Sequence, residues 1–178
     1  MQKRANAFTM MGHSLTLVGP QLKKGDAAPD FKVHKFEKGK GLVPVTLADA
    51  HQGKTTLFSV VPSLDTPVCS VQTQKFNKEL ASLAGKLNSY TVSLDLPFAM
   101  NRFCGDPAHT IDQLQNLSDY MDRSFGTATG TLIDEVKLLS RAVFVVDPKG
   151  TLVHVEYVNE AGKEPDYEAA LTAIKSTL

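Results

Sequence analysis

Two cysteines are the side chains of this sequence best suited to chemistry, and Cys69 stands at the start of a predicted helix. Pro67 fits the first helical position because it lacks the N–H that would be unpaired there. With Thr66 as the helix cap (Asp65 is the alternative), Cys69 falls in the first turn, where unpaired N–H groups and the helix dipole favour negative charge. This position favours a thiolate, which is the nucleophilic form of cysteine.

The apolar residues after Cys69 indicate which side of this helix faces the core. Phe76, Leu80 and Leu83 recur from Cys69 at helical spacing, while the charged residues fall elsewhere. Cys69 is therefore expected on the core-facing side, at the floor of a pocket. The alternative is a buried cysteine that acts only as a small apolar residue.

The second cysteine occupies the opposite electrostatic setting. Pro97 begins a shorter predicted helix that Gly105 closes, so Cys104 lies in its last turn, at the negative end of the helix dipole. A neutral thiol is favoured there. The two settings predict different roles for the two thiols. The Cys69 thiolate attacks a substrate first, and the Cys104 thiol then reacts with the oxidised sulfur of Cys69 and resolves it. A packed apolar residue remains the alternative for Cys104.

The elements that position Cys69 form a β-α-β unit, with a strand over 56–61, a helix over 67–84 and a strand over 90–94. Such a unit implies parallel strands joined by a right-handed crossover, with Cys69 near the carboxyl edge of the sheet. The other predicted elements are a hairpin over 8–18, strands over 30–36, 42–47, 110–117, 142–147 and 151–158, and helices over 47–53, over 119–125 and from 165 onward, with a loop over 126–139. The fold class is α/β.

Composition limits the possible functions. The 178 residues, of which 42% are hydrophobic, suffice for one domain over 1–178 with a substantial core. The net charge is zero and no basic block occurs, which argues against nucleic acid as a partner. No signal peptide and no stretch of membrane-spanning length is evident, so we expect a cytoplasmic protein that does not interact with membranes.

Two other kinds of site are disfavoured. The two cysteines and five scattered histidines lack the spacing of a zinc site, so no metal is predicted. Gly53-Lys54-Thr55 superficially matches a phosphate-binding loop, which needs a helix after it. A β-branched, apolar strand follows instead, and we interpret the match as coincidental.

Several segments together resemble one protein family. Pro62-x-x-x-Thr66-x-x-Cys69 is similar to the peroxidatic motif of the peroxiredoxins, and residues 63–69 resemble their thiol peroxidase subfamily, whose members are atypical two-cysteine peroxiredoxins. The similarity continues, in the family's order, through Ser93–Ala99, Arg102–Gly105, Arg141–Asp147 and Glu164–Leu171. The resemblance implies a thioredoxin-like mixed sheet flanked by helices, with an N-terminal β-hairpin extension.

The resemblance also implies an activity. The Cys69 thiolate would reduce hydrogen peroxide and alkyl or lipid hydroperoxides and become a sulfenic acid. Cys104 would resolve it as an intramolecular disulfide, which thioredoxin or a similar dithiol would reduce. No metal, haem, flavin or nicotinamide is needed, and a homodimer is expected. The apolar segment of Phe98, Met100 and Phe103 is expected to help accommodate alkyl substrates.

Three further residues are assigned supporting roles. In the family's pattern, the arginine that matches Arg141 lies beside the thiolate, where a fixed cation steadies sulfur and oxygen together. The Thr66 hydroxyl is expected to bond the thiolate or the peroxide oxygen, to cap the helix, or to do both. Pro62 is expected to shield the thiol from solvent.

Three alternative functions stay open at this level. A non-catalytic thiol redox switch would need the same cysteines. A thioredoxin-fold oxidoreductase is disfavoured because the Cys-x-x-Cys spacing is missing. A purely structural domain would need neither thiol.

Overall fold

A seven-stranded mixed sheet forms the centre of the computed structural model, which describes residues 1–178. The strands are β1 (Lys3–Met10), β2 (His13–Val18), β3 (Lys32–Glu37), β4 (Gly41–Thr46), β5 (Thr56–Val60), β6 (Asn88–Ser93), β7 (Gln115–Ser118), β8 (Leu132–Ile133), β9 (Ala142–Val146) and β10 (Leu152–Tyr157). The helices are α1 (Leu47–His51), α2 (Pro67–Leu80), α3 (Pro97–Cys104), α4 (Ser124–Thr129) and α5 (Tyr167–Lys175).

The strand order of the central sheet is β10-β9-β5-β6-β7-β3-β4. β5 and β6 are parallel and adjacent, and α2 connects them, as the β-α-β prediction requires. β9 pairs with the other side of β5 in the antiparallel sense. The predicted thioredoxin-like mixed sheet flanked by helices is therefore confirmed.

The predicted N-terminal hairpin is also confirmed. β1 and β2 pair in the antiparallel sense across a turn at Met11 and Gly12, both of which have positive φ angles. β2 continues onto the short strand β8, which makes a separate three-stranded sheet. Backbone bonds join Thr9 to Asn159 and to Ala161, at 2.8 and 2.9 Å, and hold the hairpin beside the segment that follows β10.

The central sheet separates two apolar clusters because successive strand residues point to opposite faces. Phe58 and Phe144 belong to the larger cluster, which also contains Phe125 of α4. Their neighbours Leu57 and Val143 belong to the second cluster, which α2 and α5 cover. All residues of β5 and β9 are buried, as expected for central strands whose two faces are both covered.

The predicted helix over 119–125 is wrong. α4 begins at Ser124 and runs through part of the segment predicted as loop, which also contains β8. The reason is Asp119, whose buried carboxylate accepts the backbone N–H groups of Phe125 and Gly126 at 3.1 and 2.8 Å. The carboxylate thus accepts N–H groups at the start of α4 from a position outside the helix. A side chain that forms such bonds with the backbone disfavours helical structure at its own position, here Asp119.

Other predicted bounds of helices and strands differ from the observed ones by a few residues. α2 ends at Leu80 and is followed by a 3-10 turn over Ala81–Leu83, and the predicted strand over 110–117 is reduced to β7. The last helix starts at Tyr167 because Asp166 caps it, accepting the Ala169 N–H at 3.0 Å. No helix combines the length and the apolar character needed to span a membrane.

Candidate active site

Cys69 is the third residue of α2, in the first turn, as predicted. Thr66 is the N-cap, in an extended backbone conformation, and its carbonyl accepts the Ser70 N–H at 3.0 Å. Pro67 occupies the start of the helix. The Cys69 side chain is fully buried in a small cluster with Val61, Leu64 and Met100.

The turn before α2 is held by a carboxylate from the next strand. Asp95 follows β6 and accepts bonds from the Ser63 hydroxyl, the Leu64 N–H and the Ser93 hydroxyl, each at 2.8 Å. These bonds tie the turn to the carboxyl end of β6 and fix the point where α2 starts. No local sequence signal indicates this role of Asp95, because only the parallel pairing of β5 and β6 brings it to this turn.

Arg141 lies beside the sulfur although it is distant in sequence. It directly precedes β9, whose first residue Ala142 pairs with Val60 at the end of β5. The buried guanidinium donates to Cys69 Sγ at 3.4 Å and to the Ala161 carbonyl at 2.8 Å. The antiparallel pairing therefore delivers a fixed cation to the start of α2.

A third acceptor for Arg141 was missed in the sequence. Gln72 Oε1 accepts a bond from the guanidinium at 2.6 Å, and Gln72 Nε2 donates to Ser59 Oγ of β5 at 2.8 Å. Gln72 and Ser59 are both fully buried. A polar residue at the core-facing position one turn after Cys69 was the available signal for this contact.

Thr66 and Pro62 lie at the mouth of the site. The Thr66 hydroxyl donates to the Ser63 carbonyl at 3.1 Å, and no side-chain cap bond is formed, so the predicted capping bond of this hydroxyl is not observed. The hydroxyl forms no bond with Cys69 Sγ in this structure. Pro62 is buried, between the end of β5 and the turn.

A cleft of about 430 Å³ opens next to Arg141. Its lining residues come from the turn before α2, from the hairpin tip and from the segment after β10, and are Met10, Met11, Gly12, Pro62, Thr66, Pro67, Val68, Arg141, Glu160, Ala161 and Gly162. Cys69 is not among them and its side chain is fully buried, so the sulfur does not form the floor of this cleft as the sequence predicted. The apolar segment expected to accommodate alkyl groups does not line this cleft: Met100 and Phe103 pack with Cys69 in the small cluster, and Phe98 packs on Phe36.

Cys104 is the last residue of α3 and is partly buried. Its sulfur is within hydrogen-bonding distance of the Asn116 side chain of β7, at 3.3 Å from Oδ1 and 3.2 Å from Nδ2. Burial raises the pKa of the Cys104 thiol, and the bond with Asn116 lowers it. Cys104 packs against the second apolar cluster, whereas Cys69 belongs to the small one, and the two thiols are free.

Polar contacts hold the second half of α2 in place. The Asn77 side chain donates to the Thr110 carbonyl at 3.2 Å and accepts the Asp112 and Gln113 N–H groups at 3.0 and 2.7 Å. Lys75 pairs with Glu164 at 2.7 Å. The segment that follows Cys104 is thereby fastened to the helix that carries Cys69.

Comparison with known proteins places this chain among relatives over nearly its whole length. The Redoxin family profile matches residues 23–171. The thiol peroxidase of Bacillus subtilis (strain 168) is 49% identical over 169 residues, which are 95% of this chain and 96% of that protein. The thiol peroxidase of Streptococcus pneumoniae (strain R6) is 46% identical over 168 residues, 94% of this chain and 98% of that protein.

Solved structures agree with this placement. A peroxiredoxin-like protein from Aquifex aeolicus is 34% identical, with a TM-score of 0.83 and 98% of both chains covered. A thiol peroxidase from Chromobacterium violaceum, at 17% identity and a TM-score of 0.80 over 95% of both chains, shares the fold. The chain belongs to the redoxin family and, within it, to the thiol peroxidases of the peroxiredoxin group.

Proposed function

We propose that the thiol-dependent reduction of peroxides carried out by this family uses Cys69 as the attacking thiolate and Cys104 as the resolving thiol of this chain. The observation that supports the first assignment is the buried Arg141 guanidinium, 3.4 Å from the Cys69 sulfur in the first turn of α2. A helix start and a fixed cation both favour a charged sulfur.

The first step is a displacement at oxygen. The Cys69 thiolate attacks the terminal oxygen of ROOH, the O–O bond breaks, ROH leaves after taking a proton, and Cys69 becomes a sulfenic acid. Full ionisation of a thiol that is a few per cent ionised at pH 7 gains at most a few tens of fold in rate. The remaining acceleration must come from orienting the peroxide and stabilising charge on the leaving oxygen.

Arg141 is suited to that stabilisation. Its Nε is buried and has no hydrogen-bond partner within the chain, so this donor stays available for a peroxide oxygen. The Thr66 hydroxyl and Pro62 lie at the cleft through which a peroxide would arrive. We propose that Thr66 exchanges its bond to the Ser63 carbonyl for one to the peroxide, and that Pro62 keeps bulk water from the sulfur.

In the second step, the Cys104 thiol attacks the Cys69 sulfenic acid, water leaves and a disulfide forms. A disulfide requires the two Cα atoms to lie within about 4.4–6.8 Å of each other. The thiols lie in separate clusters here, so the first turn of α2 and the end of α3 must rearrange. Thioredoxin or a similar dithiol protein then reduces the disulfide by exchange.

The test compares two variants in peroxide consumption coupled to thioredoxin and thioredoxin reductase. We expect Cys69→Ser to abolish consumption, and Cys104→Ser to lose sustained turnover yet consume one equivalent of peroxide and yield a sulfenic acid detectable by mass spectrometry after trapping. Sustained turnover of the native chain would exclude the non-catalytic switch. Unchanged consumption by Cys69→Ser would contradict the proposal.

Hydrogen peroxide and alkyl or lipid hydroperoxides are the proposed substrates. Met10, Met11 and Val68 give the cleft an apolar component that suits alkyl groups. A homodimer, a cytoplasmic location and a single domain over 1–178 are proposals that follow from the family resemblance and the composition.

A further inference from the structure

The tip of the N-terminal hairpin places a methionine at the cleft that opens next to Arg141. Met11 lies in the turn between β1 and β2 and lines this cleft together with Met10 and Gly12. Met10 packs against the apolar cluster of the three-stranded sheet, whereas the Met11 side chain is 93% exposed. Met11 therefore presents its thioether sulfur to solvent at the rim of the cleft.

Backbone bonds fix the position of the hairpin tip. Thr9, two residues before Met11, donates to the Asn159 carbonyl at 2.8 Å and accepts the Ala161 N–H at 2.9 Å. The Ala161 carbonyl in turn accepts a bond from the Arg141 guanidinium at 2.8 Å. The hairpin tip and the guanidinium are thus tied to the same segment, so Met11 stays at the cleft although its side chain is free.

The side chain of Met11 can react with the substrate of this family. A thioether is a nucleophile that peroxides oxidise to a sulfoxide. The sulfur attacks the terminal oxygen of ROOH, the S–O bond forms as the O–O bond breaks, and the hydroperoxide proton passes to the leaving oxygen, so that ROH departs. The sulfur loses two electrons and the peroxide gains them. No reactant besides the peroxide is needed.

The cleft should make this reaction faster at Met11 than at other exposed methionines. The attack is bimolecular, so a peroxide held in the cleft has a raised effective concentration at the sulfur. The apolar lining favours an organic hydroperoxide over hydrogen peroxide. Met1 and Met121 are 88% and 51% exposed and lie outside this cleft. Exposure alone would therefore oxidise Met1 about as fast as Met11.

We propose that Met11 is a modification site of this protein: hydroperoxides that enter the cleft convert Met11 to the sulfoxide, which lowers the use of organic hydroperoxides. A sulfoxide is polar where the thioether is apolar. The modification removes apolar surface from the rim of the cleft and changes no group that contacts the Cys69 sulfur. The inference rests on the proposed function, because it takes the cleft as the route of the peroxide.

The first experiment maps methionine oxidation in the full-length Cys69→Ser protein, since Cys69 does not line the cleft. The protein is treated with cumene hydroperoxide or with hydrogen peroxide, and tandem mass spectrometry quantifies the sulfoxide at Met11, Met1 and Met121. We expect the Met11 to Met1 rate ratio to be about fivefold higher with cumene hydroperoxide, and the Met11 to Met121 ratio to rise likewise. These ratios cancel the intrinsic reactivities of the oxidants. The same ratios with both oxidants would overturn the proposal.

The second experiment tests the consequence of the modification. Met11→Gln introduces a polar side chain of similar length, and Met11→Leu stays apolar and cannot form a sulfoxide. We expect kcat/KM for cumene hydroperoxide to be about threefold lower for Met11→Gln than for Met11→Leu, with a smaller difference for hydrogen peroxide. Met121→Gln, the same change outside the cleft, should alter neither value. Equal values of the two Met11 variants with cumene hydroperoxide would refute the effect on substrate use.

The mapping separates this inference from the proposed function, because it requires no turnover. A native chain that reduces no peroxide would refute the proposed function, and the oxidation ratios would still decide whether the cleft directs peroxide to Met11. Normal turnover combined with equal ratios for the two oxidants would refute the modification site alone.

Discussion

The surroundings of the two cysteines differ in every respect that controls a thiol. Cys69 begins a helix, is fully buried and contacts a guanidinium, whereas Cys104 ends a helix, is partly buried and contacts a neutral amide. Burial disfavours a charged sulfur at either position. Only at Cys69 does the fold supply a cation against that cost, and at Cys104 burial raises the pKa of the thiol.

This difference supports the separate roles proposed for the two thiols. Cys69, the proposed attacking thiol, is held where β5, α2 and β9 meet by Asp95 and Arg141. Cys104, the proposed resolving thiol, lies at the end of a short helix, where the following segment is fastened by Asn77. Four substitutions test this contrast between Cys69 and Cys104.

Removal of the Arg141 guanidinium should abolish most of the difference in reactivity between Cys69 and Cys104. For Arg141→Met we expect the rate constant with hydrogen peroxide to fall about a thousandfold, because charge stabilisation at the sulfur and the leaving oxygen is lost. Arg141→Lys should recover only part of it, since one ammonium cannot match the fork of donors. Stopped-flow kinetics measure these rate constants. The control is Lys78→Met, which replaces an exposed residue of α2. A loss of less than tenfold for Arg141→Met would contradict this role.

Loss of the hydrogen bonds that hold the turn before α2 should leave the position of Cys69 less ordered, while the Arg141 guanidinium stays in the protein. Asp95→Ala deletes three hydrogen-bond acceptor contacts, so we expect the free energy of unfolding to fall by about 2–3 kcal/mol. We expect the peroxide rate constant to fall about tenfold as the start of α2 becomes less ordered. Urea denaturation and stopped-flow kinetics measure the two effects, and a native rate constant would show that Asp95 serves stability alone.

Loss of the amide beside Cys104 should make the second thiol less reactive still. The Asn116 bond lowers the pKa of Cys104 against the dominant effect of burial, so Asn116→Leu should raise that pKa further. Because a thiolate is needed to attack the sulfenic acid, disulfide formation at pH 7 should slow about threefold to tenfold and recover as the pH rises. Rapid-quench measurement of the disulfide tests this. The first step with peroxide serves as the internal control and should be unchanged.

Release of the segment after Cys104 should have the smallest effect. Asn77→Ala removes the bonds to Thr110, Asp112 and Gln113, and we expect about 1–2 kcal/mol of lost stability with faster hydrogen exchange over 105–114. The peroxide rate constant should stay within about twofold, since Asn77 contacts neither the sulfur nor Arg141. Unchanged exchange over 105–114 would show that other contacts hold this segment.

Local signals were sufficient where neighbours in the sequence decide the structure. Pro67 and the apolar spacing after Cys69 predicted where α2 begins and which side faces the core, and the β-α-β order predicted the parallel pair β5 and β6. The same signals failed over residues 119–125, because the carboxylate of Asp119 displaces the start of α4 to Ser124. Nothing local distinguishes a capping aspartate from one inside a helix when several candidate starts follow it.

The amino-acid pattern alone was therefore enough to predict the fold class, the position of Cys69 at a helix start and the contrasting position of Cys104. The tertiary structure decided what surrounds the sulfur: the pairing of β9 with β5 delivers Arg141, and the buried face of α2 presents Gln72 to it. The reason is physical. Helix starts and periodicity depend on residues within a few positions, whereas the charge at a buried sulfur depends on groups that only strand pairing brings within about 4 Å.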